Sequence, residues 1–125
     1  MRMKDRRKVL RRGDIVWAEL GEHPGSHVQS GRRPCLIINN DKGKADVYTV
    51  MPGTCKLEKK GFPVHVLVKP SEIKGILKQA TVFMAEQLVT IDGKNIIMKA
   101  GYIEMDSEVM KKVNSILVRQ LGLNS

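Results

Sequence analysis

Cysteine is scarce in this chain. Cys35 and Cys55 are the only two, twenty positions apart, and no Cys-x-x-Cys pair exists on which a zinc site or dithiol redox chemistry could rest. Both are expected to be reduced, buried small residues. His23, His27 and His65 also lack metal-ligand spacing, so neither a metal nor another cofactor is expected. Aromatic residues are few, with two Phe, two Tyr and one Trp, and they give no signature of an interface. Long apolar runs are missing: nothing approaches the roughly 18 residues of a membrane span. The basic opening runs into Gly-Asp and a mixed strand, not into the apolar centre of a signal peptide, so the cytoplasm is the expected compartment and no membrane is expected as a partner. No glycine-rich phosphate loop and no strand–helix alternation is present, which excludes Walker-type and Rossmann-type nucleotide sites.

Basic charge, by contrast, is abundant. The 125 residues carry 22 Lys/Arg against 13 Asp/Glu, a formal net charge of +9. Residues 1–12, "MRMKDRRKVLRR", hold seven of those bases and one acid, a net of +6, which leaves +3 for the other 113 residues. Most of the basicity thus belongs to an N-terminal arm over 1–12, expected to be mobile. Such an arm either adds sequence-blind attraction to a polyanion or is a solvated tail. Residues 13–125 are expected to form one domain, long enough and apolar enough to bury a core.

The pattern after Gly13 is mostly β. "DIVWAEL" (14–20) and "PVHVLV" (63–68) alternate, "PCLIINN" (34–40) is a solid apolar run, and "DVYTVM" (46–51) is β-branched and aromatic. "ATVFMAEQLVTI" (80–91) and "MKAGYIEM" (98–105) complete the strands, and "PSEIKGILKQ" (70–79) allows one helical turn. Stretches 21–31, 41–46 and 52–63 are loops by their Gly, Pro, Ser, Asn and Asp content, although Thr54 and Cys55 lie close to a strand end. A helix over 107–121 follows from Val109, Val113, Ile116 and Leu117 on one face, a cap at Asp106 or Ser107, and a stop at Gly122. Short strands followed by one amphipathic helix predict a small, curved antiparallel barrel with the helix packed on one side.

Several residues could carry chemistry. Pro34 pushes Arg33 into extended geometry at the mouth of a buried strand, where a guanidinium can hold a phosphate or, alternatively, pair with a nearby carboxylate. Thr54, after Pro52-Gly53, presents a hydroxyl suited to a phosphoryl oxygen or to capping a turn. Glu86 and Gln87 interrupt an apolar strand, so one of them at most faces a given cleft. His65 alternates with Val64, Val66 and Val68 and is expected on the solvent face, while His27 is the one histidine placed to reach the region of Arg33.

In order along the chain, "RRGDIVWAEL", "GSHVQSGRRPCLIINND", "VYTVMPGT", "GFPVHVLV", "TVFMAEQLVTID" and "AGYIEMDSEVMKKVNSILVRQLGL" resemble the MazF/PemK/Kid family of toxin endoribonucleases from about residue 12 to 123. The resemblance implies an SH3-like, CcdB/MazF-type barrel that works as a homodimer. It also implies metal-independent, sequence-specific cleavage of single-stranded mRNA by 2′-OH attack, leaving a 2′,3′-cyclic phosphate and a 5′-OH, and inhibition by an antitoxin whose disordered tail fills the RNA groove. Through it, Arg33 matches the arginine on the scissile phosphate, Thr54 the active-site threonine, and Glu86 and Gln87 residues of the RNA groove. Ser26 and His27 fall in the matched Gly-Ser loop and are counted as RNA-binding, with Arg32 as a phosphate-tracking helper. Two departures stand out: His27-Val28-Gln29 replaces a Glu-Gln pair, and Val89 replaces an arginine. The alternatives are a non-catalytic gyrase poison on the same fold and a basic RNA-binding module with a decayed site.

Overall fold

Side-chain alternation in the second strand explains how the sheet is covered on both faces. Leu36 enters one core cluster with Ile15, Met51, Val66, Val68 and Phe83, while Cys35 and Ile37 enter another with Val16, Ala18, Val50 and Ile96. A strand buried on both sides reads as a continuous apolar run, which is what "PCLIINN" is.

The computed structural model describes residues 10–40 and 46–124. Its strands are β1 (Asp14–Glu19), β2 (Arg32–Ile37), β3 (Val47–Thr54), β4 (His65–Val68), β5 (Lys74–Gly75), β6 (Thr81–Met84), β7 (Val89–Asp92) and β8 (Ile96–Tyr102), followed by helix α1 (Glu108–Leu121). They form an antiparallel sheet in the order β4-β6-β3-β2-β1-β8-β5, with β7 also paired to β3. This is the mostly β architecture with a C-terminal helix that the pattern predicts. Most of the expected basic arm lies outside the described residues. Its last residue is anchored: Arg12 donates from Nε to the Ile38 carbonyl at 2.8 Å and from Nη2 to Asn114 at 2.7 Å, and Leu10 is buried.

Strand β3 is longer than expected and serves two neighbours on one side. Its first half pairs with β7 (Val50↔Val89) and its end pairs with β6 (Gly53↔Phe83, Thr54↔Val82). The single strand expected over 80–91 is therefore a correction. Between those pairings, five residues (84–88) face two on β3 (51–52), a surplus of three. A one-turn 3-10 helix, Ala85–Gln87, absorbs that surplus. Glu86 and Gln87 consequently do not sit on opposite faces of a strand but on a turn thrown out from it.

Helix α1 closes one side. Ser107, not Asp106, is its cap, accepting from Met110 N at 3.1 Å, and Gly122 ends it at φ +67° with Leu123 N donating to Val118 O at 2.9 Å. Val109, Met110, Val113 and Leu117 are buried, each such side chain contributing about 1.5–3 kcal/mol; Ile116, expected in the stripe, is only half-buried. A short 3-10 turn, Pro70–Glu72, stands where one helical turn was expected.

Candidate active site

Strands β2 and β3 pair as Ile37↔Val50, Leu36↔Met51 and Cys35↔Pro52. The pairing ends there, and alternation along each strand puts Arg33 on the side of Cys35 and Thr54 on the side of Pro52. Residues opposite one another in an antiparallel pair share a face, with their Cα atoms about 4.5–5.5 Å apart. Arg33 and Thr54 thus belong to one face, that of Cys35 and Pro52. The chemistry of Cys35 agrees: burial pushes its thiol up to about 12, and the positive charge of Arg33 pulls in the other direction.

Each of the two side chains is held by a local tie that leaves its reactive end unspent. Arg33 donates from Nε to the Ser30 carbonyl at 3.0 Å, which orients the fork. Among the described residues its Nη groups make no hydrogen bond, so four N–H donors point elsewhere. Thr54, a residue only 6% exposed, accepts at its hydroxyl from Lys56 N at 3.2 Å, so the hydroxyl's own hydrogen is available to donate. Gly53 makes this tight strand end feasible: a Cβ there would lie 2.7 Å from Thr81 Cγ2 and 2.9 Å from Phe83 Cε1.

The other expected residues surround this pair in different ways. Arg32 is exposed and pairs with Glu19 at 3.4 Å. Gln87 ties down the loop over 21–31, donating from Nε2 to the His27 carbonyl and accepting from Gln29 N, both at 3.0 Å. Ser26 and His27 are exposed on that loop, with the Ser26 hydroxyl accepting from Val28 N at 3.0 Å. A cleft of about 320 Å³ lies alongside, lined by Gln29, Pro52, Gln87 and Asp92 among others, but not by Arg33 or Thr54. Among the described residues, no three of His, Cys, Asp and Glu come together as a metal-ligand set.

Glu86 turns to His65. The imidazole Nε2 lies 2.9 and 2.8 Å from the two Glu86 oxygens, and Nδ1 lies 2.7 Å from the Lys59 carbonyl. Both partners are acceptors, so the ring is gripped at each of its nitrogens. Here the expectation for His65 is corrected in part. Alternation does put it on the face opposite Val66 and Val68, but it is buried, because Phe62 stacks on it at 4.9 Å between centroids and 5° between planes. The covering segment, a 3-10 turn over Leu57–Gly61 followed by Phe62, was read as plain loop. An aromatic three residues ahead of the histidine was the one available signal. Cys55 is a second correction, being exposed where burial was expected.

The comparisons with known proteins fit this geometry. A sequence model described as "PemK-like, MazF-like toxin of type II toxin-antitoxin system" matches residues 11–121. A protein named "Endoribonuclease MazF" from Staphylococcus saprophyticus is 34% identical over 119 residues, covering 94% of this chain and 95% of that one. Among solved structures, MazF from Deinococcus radiodurans superposes with a TM-score of 0.72 at 23% identity, covering 93% of this chain and 99% of the other. An endoribonuclease from a mycobacterial species, solved in complex with its cognate antitoxin, gives 0.69 at 21%, covering 94% and 98%. These structures share the half-barrel and its helix, and the sequence match spans nearly all of the chain: it belongs to the family of PemK-like, MazF-like toxins of type II toxin–antitoxin systems.

Proposed function

We propose that this chain is an endoribonuclease that cuts single-stranded mRNA, without a metal, through attack of a ribose 2′-OH on the adjacent phosphate. One observation carries the reading of the site: by strand alternation Arg33 and Thr54 lie on the face shared by the paired Cys35 and Pro52, with unspent donors on both. Attack by the 2′-oxygen creates a pentacoordinate phosphorane with two negative charges. Guanidinium N–H groups and a hydroxyl fixed before reaction stabilise that charge without reorganising. Breaking the P–O5′ bond then leaves a 2′,3′-cyclic phosphate and a 5′-OH. The name of the staphylococcal relative supports the activity. The mycobacterial complex with a cognate antitoxin supports an antitoxin as a partner, and on this proposal the antitoxin inhibits by laying its disordered tail in the RNA groove. A homodimer in the cytoplasm, with one strand of RNA crossing both copies, completes the proposal.

The test is incubation of a long single-stranded RNA with the purified protein in EDTA. Discrete fragments ending in cyclic phosphate are expected, with the rate falling on the order of 10²-fold or more in Arg33→Ala and in Thr54→Ala while both variants stay folded. Intact RNA, with or without gyrase–DNA adducts in a parallel assay, overturns the proposal.

A further inference from the structure

We infer that Phe62 is a stacking platform for a nucleobase of the RNA, seated on the same sheet face as Arg33 and Thr54; this rests on the reading of the chain as an RNA-binding nuclease. Phe62 is 52% exposed although it is a large apolar residue in a chain with few aromatics. It is also unusually well fixed. One face of its ring lies flat on His65, and His65 is in turn held at both nitrogens, by Lys59 O and by Glu86. A ring pinned in this way gives up little conformational freedom when a second planar group lands on it.

Strand register connects the platform to the proposed cleavage pair. Thr54 pairs with Val82, Val82 with Leu67, and Met84 with His65. Thr54, Val82, Leu67, Met84 and His65 therefore share a face, which is also that of Arg33. His65 is two strands and two residues away from Thr54, about 12 Å between Cα atoms at ordinary sheet spacings. A short single-stranded segment spans that gap, so a phosphate at Arg33 and a base at Phe62 can belong to one strand.

Charge identifies the occupant. Lys56, Lys59 and Lys60 accompany Phe62 on the covering segment against the single acid Glu58, and the Lys59 ammonium lies 5.7 Å from the ring centroid. An apolar protein partner would gain nothing from three lysines around the aromatic. A single-stranded polynucleotide gains twice, through base stacking and through phosphate contacts, which is the recurrent chemistry of sequence-tolerant strand binding.

The experiment uses the full chain and an RNA-sequence oligonucleotide made non-cleavable by 2′-O-methyl groups, with a fluorescent purine analogue walked along it. Wild type is expected to quench the analogue at one register near the cut site. Phe62→Ala and Phe62→Leu should lose that quenching and bind about 5- to 100-fold more weakly, while Phe62→Trp retains both. Phe62→Leu keeps an apolar cover over His65, so a loss in that variant with unchanged thermal unfolding is a loss of stacking. Equal quenching and affinity in wild type and Phe62→Leu overturns the platform while leaving the nuclease intact. Absence of any oligonucleotide binding by wild type overturns both.

Discussion

Glu86→Ala probes the support beneath the site. The substitution removes both acceptors facing His65 Nε2, on a ring whose side chain is 2% exposed, while Nδ1 keeps the Lys59 carbonyl. Breaking a fully buried pair costs about 3–5 kcal/mol, but Glu86 is 35% exposed, and water screens its share. About 1–2 kcal/mol is the expected loss. Glu86→Gln, whose amide oxygen still accepts, should lose less. Urea unfolding of wild type, Glu86→Ala, His65→Ala and the double variant should show the two changes to be non-additive by about 1 kcal/mol. The second readout is local. His65 anchors the 57–62 segment through Lys59 O and through the Phe62 ring, so trypsin should cleave at Lys56, Lys59 and Lys60 faster in Glu86→Ala than in wild type. Additivity within about 0.3 kcal/mol together with unchanged cleavage at those lysines refutes the reasoning.

Two further substitutions test the strands that carry the proposed pair. Because folding raises the Cys35 thiol from 9.0 to about 12, the folded chain keeps a proton that the unfolded chain sheds between those values. Stability held below about pH 9 should fall by roughly 1.4 kcal/mol per pH unit above it. Denaturation at a series of alkaline pH values should show that slope relative to Cys35→Ala, and an identical pH dependence in the two proteins refutes it. Gly53→Ala forces a methyl to within 2.7 Å of Thr81 Cγ2 and 2.9 Å of Phe83 Cε1, so a loss of about 1–3 kcal/mol and a parallel fall in RNA cleavage are expected. Gly61→Ala, with open space at its Cβ, should be neutral within about 0.5 kcal/mol, and equal unfolding of the two variants contradicts the steric argument.

The order of strands and the helix were legible because each rests on a local pattern. Alternation in "PVHVLV", the apolar run of "PCLIINN" and the stripe on α1 need only neighbours in sequence. The pieces that were not legible depend on a partner strand. Nothing in "ATVFMAEQLVTI" reveals three surplus residues, because the surplus exists only against the two positions of β3 that the segment bypasses. His65 shows the same division: its face follows from alternation, but its burial comes from Phe62 arriving from another segment. Cys55 lies one residue past the end of β3, where the pattern that buries Cys35 no longer applies. For Arg33, Pro34 signals extended geometry, but the tie of its Nε to the Ser30 carbonyl, and the pairing of Glu19 with the adjacent Arg32 instead, depend on how the loop and β1 meet and are not written in the local pattern.

These ties divide the surface into two kinds of part. Arg33 is oriented by a residue three positions before it and Thr54 by one two positions after it, each at the end of a strand whose neighbouring residues, Cys35 and Pro52, are paired. Ser30 closes the loop over 21–31, whose tip Gln87 holds at His27 and Gln29, and the 57–62 segment is held by His65, which Glu86 grips in turn. Under the proposed function, phosphate chemistry resides at the two strand ends and the Ser30 carbonyl, and the reading of bases resides in the loop tip held by Gln87 and the segment held by His65. On that proposal, substitutions at the loop tip, His27 to Gln29, shift which sequence is cut so long as the Ser30 carbonyl keeps its hold on Arg33.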